Sequence, residues 1–240
     1  MTVIQQVFSY VNYIRDFIRF KKMTDKQKQR FPMTWKNRHA CLKEKTAVSG
    51  FDRHYIYHTA WAARIVAALK PDFHVDISSS LYFCSIVSAF LPVHFYEFRK
   101  PLLELSGLHV HDGNLSVLPF TDNSVQSLSC MHVVEHAGLG RYGDPLDPEG
   151  DLIAIAELKR VCAVGGSVLF VVPVGKPKIC YNAHRIYTPR MIADYFAPLV
   201  LREFAFIGNS FADGPITKMS IDQESIHLKD GCGCFWFQKK

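Results

Sequence analysis

Polar side chains that can bind a small molecule follow the first two predicted strands of the main domain. The segment 73–77 is predicted to form a strand, and it leads into three serines, Ser78 to Ser80, before a helix. A ligand can approach the backbone closely at such a turn, and serine hydroxyls can hold a carboxylate, a phosphate or a sugar. Glu97 ends the next strand, 21 residues after Asp76, where a carboxylate can accept hydrogen bonds from ribose hydroxyls.

Each of these residues also has a purely structural interpretation. A left-handed turn would cost a serine about 1–2 kcal/mol, so the serines can instead cap the helix that follows them. Glu97 can pair on the surface with Arg99. The position of both groups at strand ends favours the ligand-binding interpretation, in which Asp76, Ser78, Ser80 and Glu97 hold a cofactor.

Three titratable residues follow a later apolar strand, 125–131. They are His132, Glu135 and His136, and their spacing matches the zinc-protease pattern HxxEH. That pattern requires a continuous helix, whereas here a strand precedes it and glycines follow, so we predict no metal site. Histidine accepts protons near neutral pH, and one of the three residues is predicted to be the general base.

The segment 138–150 is predicted to be a substrate-binding loop, because it contains four glycines and two prolines. Arg141, Tyr142 and Asp144 can bind a sugar by hydrogen bonds and ring stacking, and the carboxylates in the loop can hold Mg²⁺. The alternative is a solvated connector in which aspartate and proline only shape turns.

The composition is that of one soluble domain of 240 residues, with a basic N-terminal segment. Residues 1–50 contain 11 Lys and Arg against 3 Asp and Glu, and the remainder contains 17 against 19. No aromatic-basic platform accompanies this charge, so nucleic acid is not a predicted partner. The seven cysteines have no CxxC spacing, which favours reduced thiols and a cytoplasmic location; Cys232 and Cys234 could clip a metal or oxidise, but a terminal strand is the preferred interpretation.

Residues 3–20 have the apolar periodicity of an amphipathic helix, followed by a basic stretch, 21–30. This pattern is most often that of a helix that packs on a core, which is the preferred interpretation. The alternative is a helix that contacts a membrane surface or a protein partner. We find neither a secretory signal nor a stretch of about 18 apolar residues, which predicts a cytoplasmic protein with peripheral membrane contact as the alternative.

Strands and helices alternate through the rest of the chain. Alternation with continuously apolar strands predicts an α/β fold with a parallel sheet covered on both faces, and places function in the loops at the carboxyl ends of the strands. The predicted strands are 73–77, 92–96, 108–111, 125–131, 167–172, 200–207 and 234–237, and the predicted helices are 3–20, 52–69, 80–89, 100–106, 151–163 and 189–196.

The order of these motifs resembles the S-adenosylmethionine-dependent methyltransferases with a Rossmann-like fold. The segments that carry the resemblance are 51–62, 74–79, 118–120, 135–136, 157–173 and 184–188. They are most similar to a family first described as a Caenorhabditis protein of unknown function, with bacterial members among surface-polysaccharide genes. The resemblance implies a mostly parallel seven-stranded sheet over residues 51–240, with residues 1–50 as a helical extension.

The resemblance also implies further site residues. Asn114 stands where an aspartate of the methyltransferases commonly accepts the adenine amino group. His184, Arg185 and Tyr187 belong to a His-Arg-x-Tyr-Thr segment and are predicted to line the acceptor side, although Tyr187 also suits the core.

The leading hypothesis is a divergent methyltransferase that uses S-adenosylmethionine to modify a small polar acceptor, such as a sugar or glycan hydroxyl. A second hypothesis is that the same scaffold binds a nucleotide sugar for different chemistry. A third is a non-catalytic protein that docks on a partner through residues 1–30. The sequence leaves the oligomeric state undetermined.

Overall fold

The computed structural model describes residues 3–25, 31–222 and 230–240. The chain forms two units, Met1–Phe51 and Asp52–Lys240. Part of the predicted basic stretch, 26–30, lies outside the described residues. No helix in the described part of the chain has the length and apolar character that crossing a membrane requires.

The first unit contains one long helix, α1 (Val3–Asp25), and a segment with a single short 3-10 turn, Trp35–Asn37. Trp35 packs edge-on against Phe17 of α1, with ring centroids 4.9 Å apart. Lys45 donates a hydrogen bond of 2.8 Å to Asp16. The connector predicted over residues 31–50 is therefore in contact with the helix that precedes it.

The second unit is built on one large sheet. Its strand order is β3-β2-β1-β4-β5-β10-β8-β9. The first five strands in that order are parallel, whereas β10 runs antiparallel to both β5 and β8. The strands of this sheet are β1 (His74–Ile77), β2 (Val93–Glu97), β3 (Leu108–Asp112), β4 (Val125–Met131), β5 (Cys162–Val174), β8 (Val200–Gly208), β9 (Thr217–Lys218) and β10 (Gly231–Gln238).

Helices cover both faces of the sheet, and each face has its own apolar core. The helices α2 and α3 supply Trp61, Ile65 and Phe83 to one core, and α4 and α5 supply Leu158 and Ile192 to the other. The helices are α2 (Arg53–Leu69), α3 (Leu81–Val87), α4 (Gly150–Val161) and α5 (Pro189–Tyr195). The predicted fold class, a mostly parallel Rossmann-like sheet with helices on both faces, is confirmed.

Local sequence explains where two of these helices begin. Asp52 precedes α2, and its carboxylate accepts a hydrogen bond of 3.1 Å from the Tyr55 amide. Thr188 precedes α5 in the same way and accepts from the Met191 amide at 3.2 Å, with Pro189 in the first helical position. Both arrangements satisfy amide groups that a helix otherwise leaves unpaired.

The predicted helix 100–106 is wrong, because this segment is irregular. The chain instead returns to the sheet through an isolated bridge between Leu105 and Leu108. Gly107, at φ 76°, makes the turn, and its carbonyl accepts from the Val93 amide.

Two further differences concern strands. The segment 173–187, predicted to be a loop, contains a hairpin of β6 (Lys178–Cys180) and β7 (His184–Ile186). The main sheet has an eighth strand, because the two-residue β9 pairs with the edge of β8. Strands of two or three residues are too short to show the alternating pattern by which strands are recognised in a sequence.

Candidate functional site

A cavity of about 470 Å³ lies at the carboxyl ends of the parallel strands β1 to β4. This is the position at which open α/β sheets bind ligands. Seven of the predicted site residues line it: Ser78, Glu97, Asn114, His132, His136, Tyr142 and Asp144.

The turn after β1 keeps a left-handed conformation although it contains no glycine. Ser78 has a φ of 56°, a conformation that costs a residue with a Cβ about 1–2 kcal/mol. Its amide and its hydroxyl both donate to the carbonyl of Tyr96, at 2.9 and 3.1 Å. These two bonds to β2 hold the turn open beside the cavity.

Asp76 and Ser80, both predicted to hold the cofactor, are not among the residues that line the cavity. Asp76 is fully buried and accepts hydrogen bonds from the Ser79 amide and the Ser129 hydroxyl. Burial raises the pKa of its carboxyl to about 6. Ser80 precedes α3 without a capping side-chain bond. Asp76 therefore organises the turn from beneath.

Glu97 and Asn114 stand at the ends of neighbouring strands, on one side of the cavity. One carboxylate oxygen of Glu97 accepts from the Arg99 amide at 3.1 Å, and the side-chain oxygen of Asn114 accepts from the Ser116 amide at 2.9 Å. Both oxygens have a second lone pair that a ligand can use.

Sequence reasoning missed the apolar residues beside these two groups. Phe98, Leu115 and Ile153 also line the cavity, and apolar walls with a few polar groups are typical of small-molecule sites. Phe98 and Leu115 directly follow Glu97 and Asn114 in the chain, which is the signal that could have identified them.

Glu135 lies between the two predicted catalytic histidines. Its Oε1 is 3.0 Å from His132 Nδ1 and 3.8 Å from His136 Nε2, and the side chain is only 1% exposed. Burial disfavours the imidazolium of His132, but its contacts with Cys232 and Glu135 outweigh this effect and raise its pKa. Both ring nitrogens of His132 are in polar contacts, since Nε2 is 3.4 Å from the sulfur of Cys232.

His136 has the better geometry for accepting a proton. Its Nδ1 is 2.6 Å from the carbonyl of Ala183, so Nδ1 must donate its hydrogen there, and Nε2 carries the lone pair. The pKa of His136 is lowered, chiefly by burial of the ring. The ring is therefore neutral at pH 7. The carboxylate of Glu135 near Nε2 would stabilise the imidazolium that forms on proton uptake.

Asp144 holds the loop that follows His136 in shape through hydrogen bonds to backbone amides. The carboxylate of Asp144 accepts from the amides of Gly138, Gly140 and Tyr142. These bonds outweigh the effect of burial and lower the pKa of Asp144. Asp144 therefore lines the cavity and also shapes the loop. Shaping the loop is the role that the alternative interpretation gave to its aspartates.

Arg185, which belongs to the His-Arg-x-Tyr-Thr segment and was expected with His184 and Tyr187 on the acceptor side, is not among the residues that line the cavity and instead positions the loop. It is buried, and its guanidinium donates to the carbonyls of Ala137 at 2.5 Å and Pro148 at 3.1 Å. It also lies 3.6 Å from Asp151 of α4. The hairpin β6–β7 thus fixes both ends of the loop.

Tyr142 lies at the rim of the cavity between two arginines. The guanidinium of Arg99 is 4.5 Å from the centre of its ring, and that of Arg141 is 5.1 Å away. Arg141 also donates to the carbonyl of Ala183 at 3.0 Å. Two positive charges and an aromatic face therefore border the opening, although Arg141 itself is not among the lining residues.

Two other predicted substrate-binding residues lie away from the lining. Tyr187 is 2% exposed and belongs to the apolar core, where its hydroxyl donates to Asp151 at 2.9 Å. Tyr187 therefore lies in the core, as the alternative interpretation of this residue predicted. His184 is half-buried, and its ring centre is 6.5 Å from that of His136.

Residues 119–232 match the model of a family described as Caenorhabditis protein of unknown function, DUF268. No curated protein matches the chain. Among solved structures, an S-adenosylmethionine-dependent methyltransferase from Thermotoga maritima is 14% identical, with a TM-score of 0.53 over 78% of this chain and 91% of that chain. Geranyl diphosphate C-methyltransferase from Streptomyces coelicolor is 11% identical, with a TM-score of 0.52 over 76% and 78%.

The family match covers slightly less than half of the chain, and the fold of the chain resembles that of S-adenosylmethionine-dependent methyltransferases. Its fold is also that of a protein with a different reaction, the 4+2 cyclase SpnF, at 12% identity and a TM-score of 0.52 over 75% of this chain and 81% of that chain. Since one scaffold hosts several reactions, the activity of this chain has to be argued from its site.

Proposed function

We propose that this protein is an S-adenosylmethionine-dependent methyltransferase that acts on a hydroxyl of a small polar acceptor, such as a sugar or a glycan. The observation that carries the proposal is the convergence of Ser78, Glu97 and Asn114 with His136 on one cavity. These residues follow four different parallel strands. A cavity of about 470 Å³ lies within the range of ~300–1,000 Å³ that small-molecule ligands and cofactors occupy.

The residues on the strand ends suit an adenosine-containing ligand. Glu97 can accept hydrogen bonds from ribose hydroxyls, and Asn114 offers an acceptor for an amino group. Phe98 and Leu115 provide apolar surface for a flat ring. The open turn at Ser78 leaves room for the rest of the ligand.

His136 is the proposed general base. When bound, the cofactor supplies a methyl group on a positively charged sulfur, and its transfer depends chiefly on alignment with the acceptor oxygen. As the oxygen–carbon bond forms and the sulfur–carbon bond breaks, the acceptor proton moves to Nε2 of His136. Glu135 stabilises the resulting imidazolium.

The rim supports an acceptor that is polar and carries rings with hydroxyl groups. The guanidinium groups of Arg99 and Arg141, which flank the ring of Tyr142, can donate hydrogen bonds to acceptor hydroxyls, and the loop 138–150 adds further hydrogen-bonding groups. Arg185 and Asp144 hold that loop in place, which lowers the entropy lost when an acceptor is ordered.

Calorimetric titration with S-adenosylhomocysteine tests the proposal. We expect binding at micromolar strength, and a loss of about tenfold or more, or ~1.4 kcal/mol, in Glu97→Ala. Glu104→Ala, an exposed glutamate that does not line the cavity, is the matched control and should bind as the wild type does. Absence of binding to the folded wild type would reject the cofactor.

A second candidate function is the binding of a nucleotide sugar on the same scaffold, and the two arginines that flank Tyr142 favour it. Guanidinium groups bind phosphate through paired hydrogen bonds. A UDP-sugar titrated in parallel distinguishes the candidates. Heat from the UDP-sugar together with none from S-adenosylhomocysteine would move the chemistry to this alternative.

A further inference from the structure

A second cluster of potential ligand groups lies within the α/β unit, next to the cavity. It consists of His54 on α2, His132 after β4 and Cys232 on β10. One nitrogen of each histidine and the sulfur of the cysteine all lie within 4.8 Å of one another. Three elements far apart in the chain therefore bring two imidazoles and a thiol to one point.

Hydrogen bonds orient His132 as a metal ligand would be oriented. Its Nδ1 is 3.0 Å from the carboxylate of Glu135, to which it donates its hydrogen, and its Nε2 faces the sulfur of Cys232 at 3.4 Å. Without a metal, Nε2 and the sulfur share a hydrogen bond, which an ion would replace. Metal-binding histidines usually donate their second ring nitrogen to a carboxylate or a carbonyl in this manner. His54 has a side-chain hydrogen bond of its own with Asn209.

His58, one helical turn after His54, adds an independent indication of a missing group. Its Nδ1 lies 2.6 Å from the carbonyl of His54 and must donate there, which leaves the lone pair on Nε2. The side chain is fully buried, and Nε2 has no hydrogen-bond partner in the described part of the chain. Its ring centre is 5.1 Å from that of His132. A buried acceptor without a donor is unfavourable, and a bound water would supply one.

The spacing of the cluster is close to that of a tetrahedral metal site. Zinc lies about 2.3 Å from sulfur and about 2.0–2.1 Å from nitrogen ligands, which places neighbouring ligand atoms roughly 3.3–3.7 Å apart. The sulfur of Cys232 is 3.4 Å from Nε2 of His132. A shift of about 1 Å in the half-buried side chain of His54 would complete the geometry.

We propose that His54, His132 and Cys232 bind a transition-metal ion of the zinc class, with a water in the fourth position hydrogen-bonded to Nε2 of His58. Thiolate and imidazole ligands select such ions over Mg²⁺ or Ca²⁺. Binding releases to solvent the thiol proton of Cys232 and the Nε2 proton of His132, which frees a lone pair on each atom for the ion. The site shares only its first histidine with the HxxEH pattern, so it differs from the zinc-protease arrangement that the sequence argued against.

The metal site goes beyond the proposed methyl transfer and does not depend on it. Because His132 also lines the cavity, the ion lies at the cavity wall. Binding of the metal is therefore measured on the full chain without cofactor or acceptor, so that failure of one proposal leaves the other intact.

The test is the metal content of the full-length protein after equilibration with Zn²⁺ and removal of free ions. We expect about one zinc per chain, and in the Co²⁺-loaded protein an absorption band from thiolate-to-cobalt charge transfer. Glu135→Gln should weaken zinc binding about 10- to 100-fold, since it removes the carboxylate that orients His132.

Cys232→Ser should abolish the cobalt band, whereas Cys234→Ser, a buried cysteine two residues along the same strand, should retain it. His54→Ala is the second variant and should also weaken zinc binding. Its half-buried position makes this substitution less disruptive to folding than one at Cys232. Circular dichroism verifies that each variant is folded. A folded wild type that retains no zinc and shows no cobalt band overturns the proposal. So does a Cys232→Ser variant that binds both metals as the wild type does.

Discussion

At the scale of single residues, the candidate site combines a proposed base, His136, and a strained turn at Ser78, and these two features have separable roles. His136 has one ring nitrogen committed to a carbonyl and the other near Glu135. Ser78 has a conformation that glycine normally provides. Each of these features leads to a substitution whose effect on chemistry or on stability can be measured by itself.

His136→Ala should reduce the turnover number about 10²- to 10⁴-fold, the usual contribution of a general base, once an acceptor is identified. Affinity for S-adenosylhomocysteine should change less than twofold, because the variant leaves the strand ends intact. His39→Ala, which removes an exposed histidine outside the cavity lining, is the control. Equal losses of turnover and of cofactor affinity would argue against the role.

Ser78→Gly and Ser78→Ala should differ in stability, although both remove the hydroxyl. The glycine adopts a φ of 56° without strain, whereas alanine retains the steric conflict of a Cβ. We expect the glycine variant to have the larger free energy of unfolding, by about 1 kcal/mol, in urea denaturation. Equal stabilities would mean that the turn relaxes in solution.

At the scale of elements, β1 and β4 are joined by a buried polar chain. His74 is fully buried, with Nδ1 2.7 Å from the hydroxyl of Ser127 and Nε2 2.8 Å from that of Ser129. Ser129 gives its hydrogen to Asp76, so it must accept from Nε2 of His74. This chain connects the centre of the sheet to the turn that borders the cavity.

Acid should destabilise the fold through His74, because burial lowers its pKa to about 3 from 6.5. Between these values the unfolded chain binds the proton and the folded chain does not, so this contribution to stability is complete above pH 6.5 and declines as the pH falls. His74→Leu should lose less free energy of unfolding than the wild type between pH 7.5 and pH 5, by about 2 kcal/mol. The pKa of Asp76 is raised to about 6, so its contribution to the free energy of unfolding grows as the pH falls. Because Asp76 is present in both the wild type and the variant, the comparison isolates the contribution of His74.

Urea denaturation at several pH values measures this difference. His39→Leu, which removes an exposed histidine, is the control and should retain the wild-type pH dependence. Parallel wild-type and His74→Leu curves would exclude His74 as the source of acid sensitivity.

At the scale of the whole molecule, α1 has many exposed apolar side chains, among them Val7, Phe8 and Val11. It also carries part of the excess of basic residues in the N-terminal segment. An apolar stripe with a cationic flank is typical of helices that lie at anionic membrane surfaces. Contact with such a surface, which the sequence left as an alternative for this helix, stays a prediction that can be tested.

The double variant Phe8→Asp, Val11→Asp should lose binding to vesicles that contain anionic lipid, measured by co-sedimentation. Wild-type binding should weaken as salt is added, since the electrostatic part is screened. Gln6→Asp, an exposed position on the same helix, changes the charge without removing apolar surface and should bind nearly as the wild type does. Wild-type protein that stays in the supernatant would reject membrane contact.

Much of the fold was predictable because its determinants are local. Apolar runs of strand length alternate with helical periods, and capping residues such as Asp52 and Thr188 mark where helices begin. The position of Glu97 beside the cavity was predictable for the same reason, since the carboxyl ends of parallel strands meet at one edge of the sheet. Its role in binding stays a prediction. The helix 100–106 was wrong because weak local preference was overridden by the return of the chain to the sheet.

The sequence by itself determined the α/β class, the edge of the sheet that carries the site, and most of the residues at the ends of its strands. Only the tertiary structure decided that Tyr187 is a core residue, that Arg185 holds the loop, and that His54, His132 and Cys232 meet. The helical spacing of His54 and His58 was visible in the sequence, but their partner on β10 was not. Sequence patterns report neighbours within an element, whereas contacts between distant elements depend on how those elements pack.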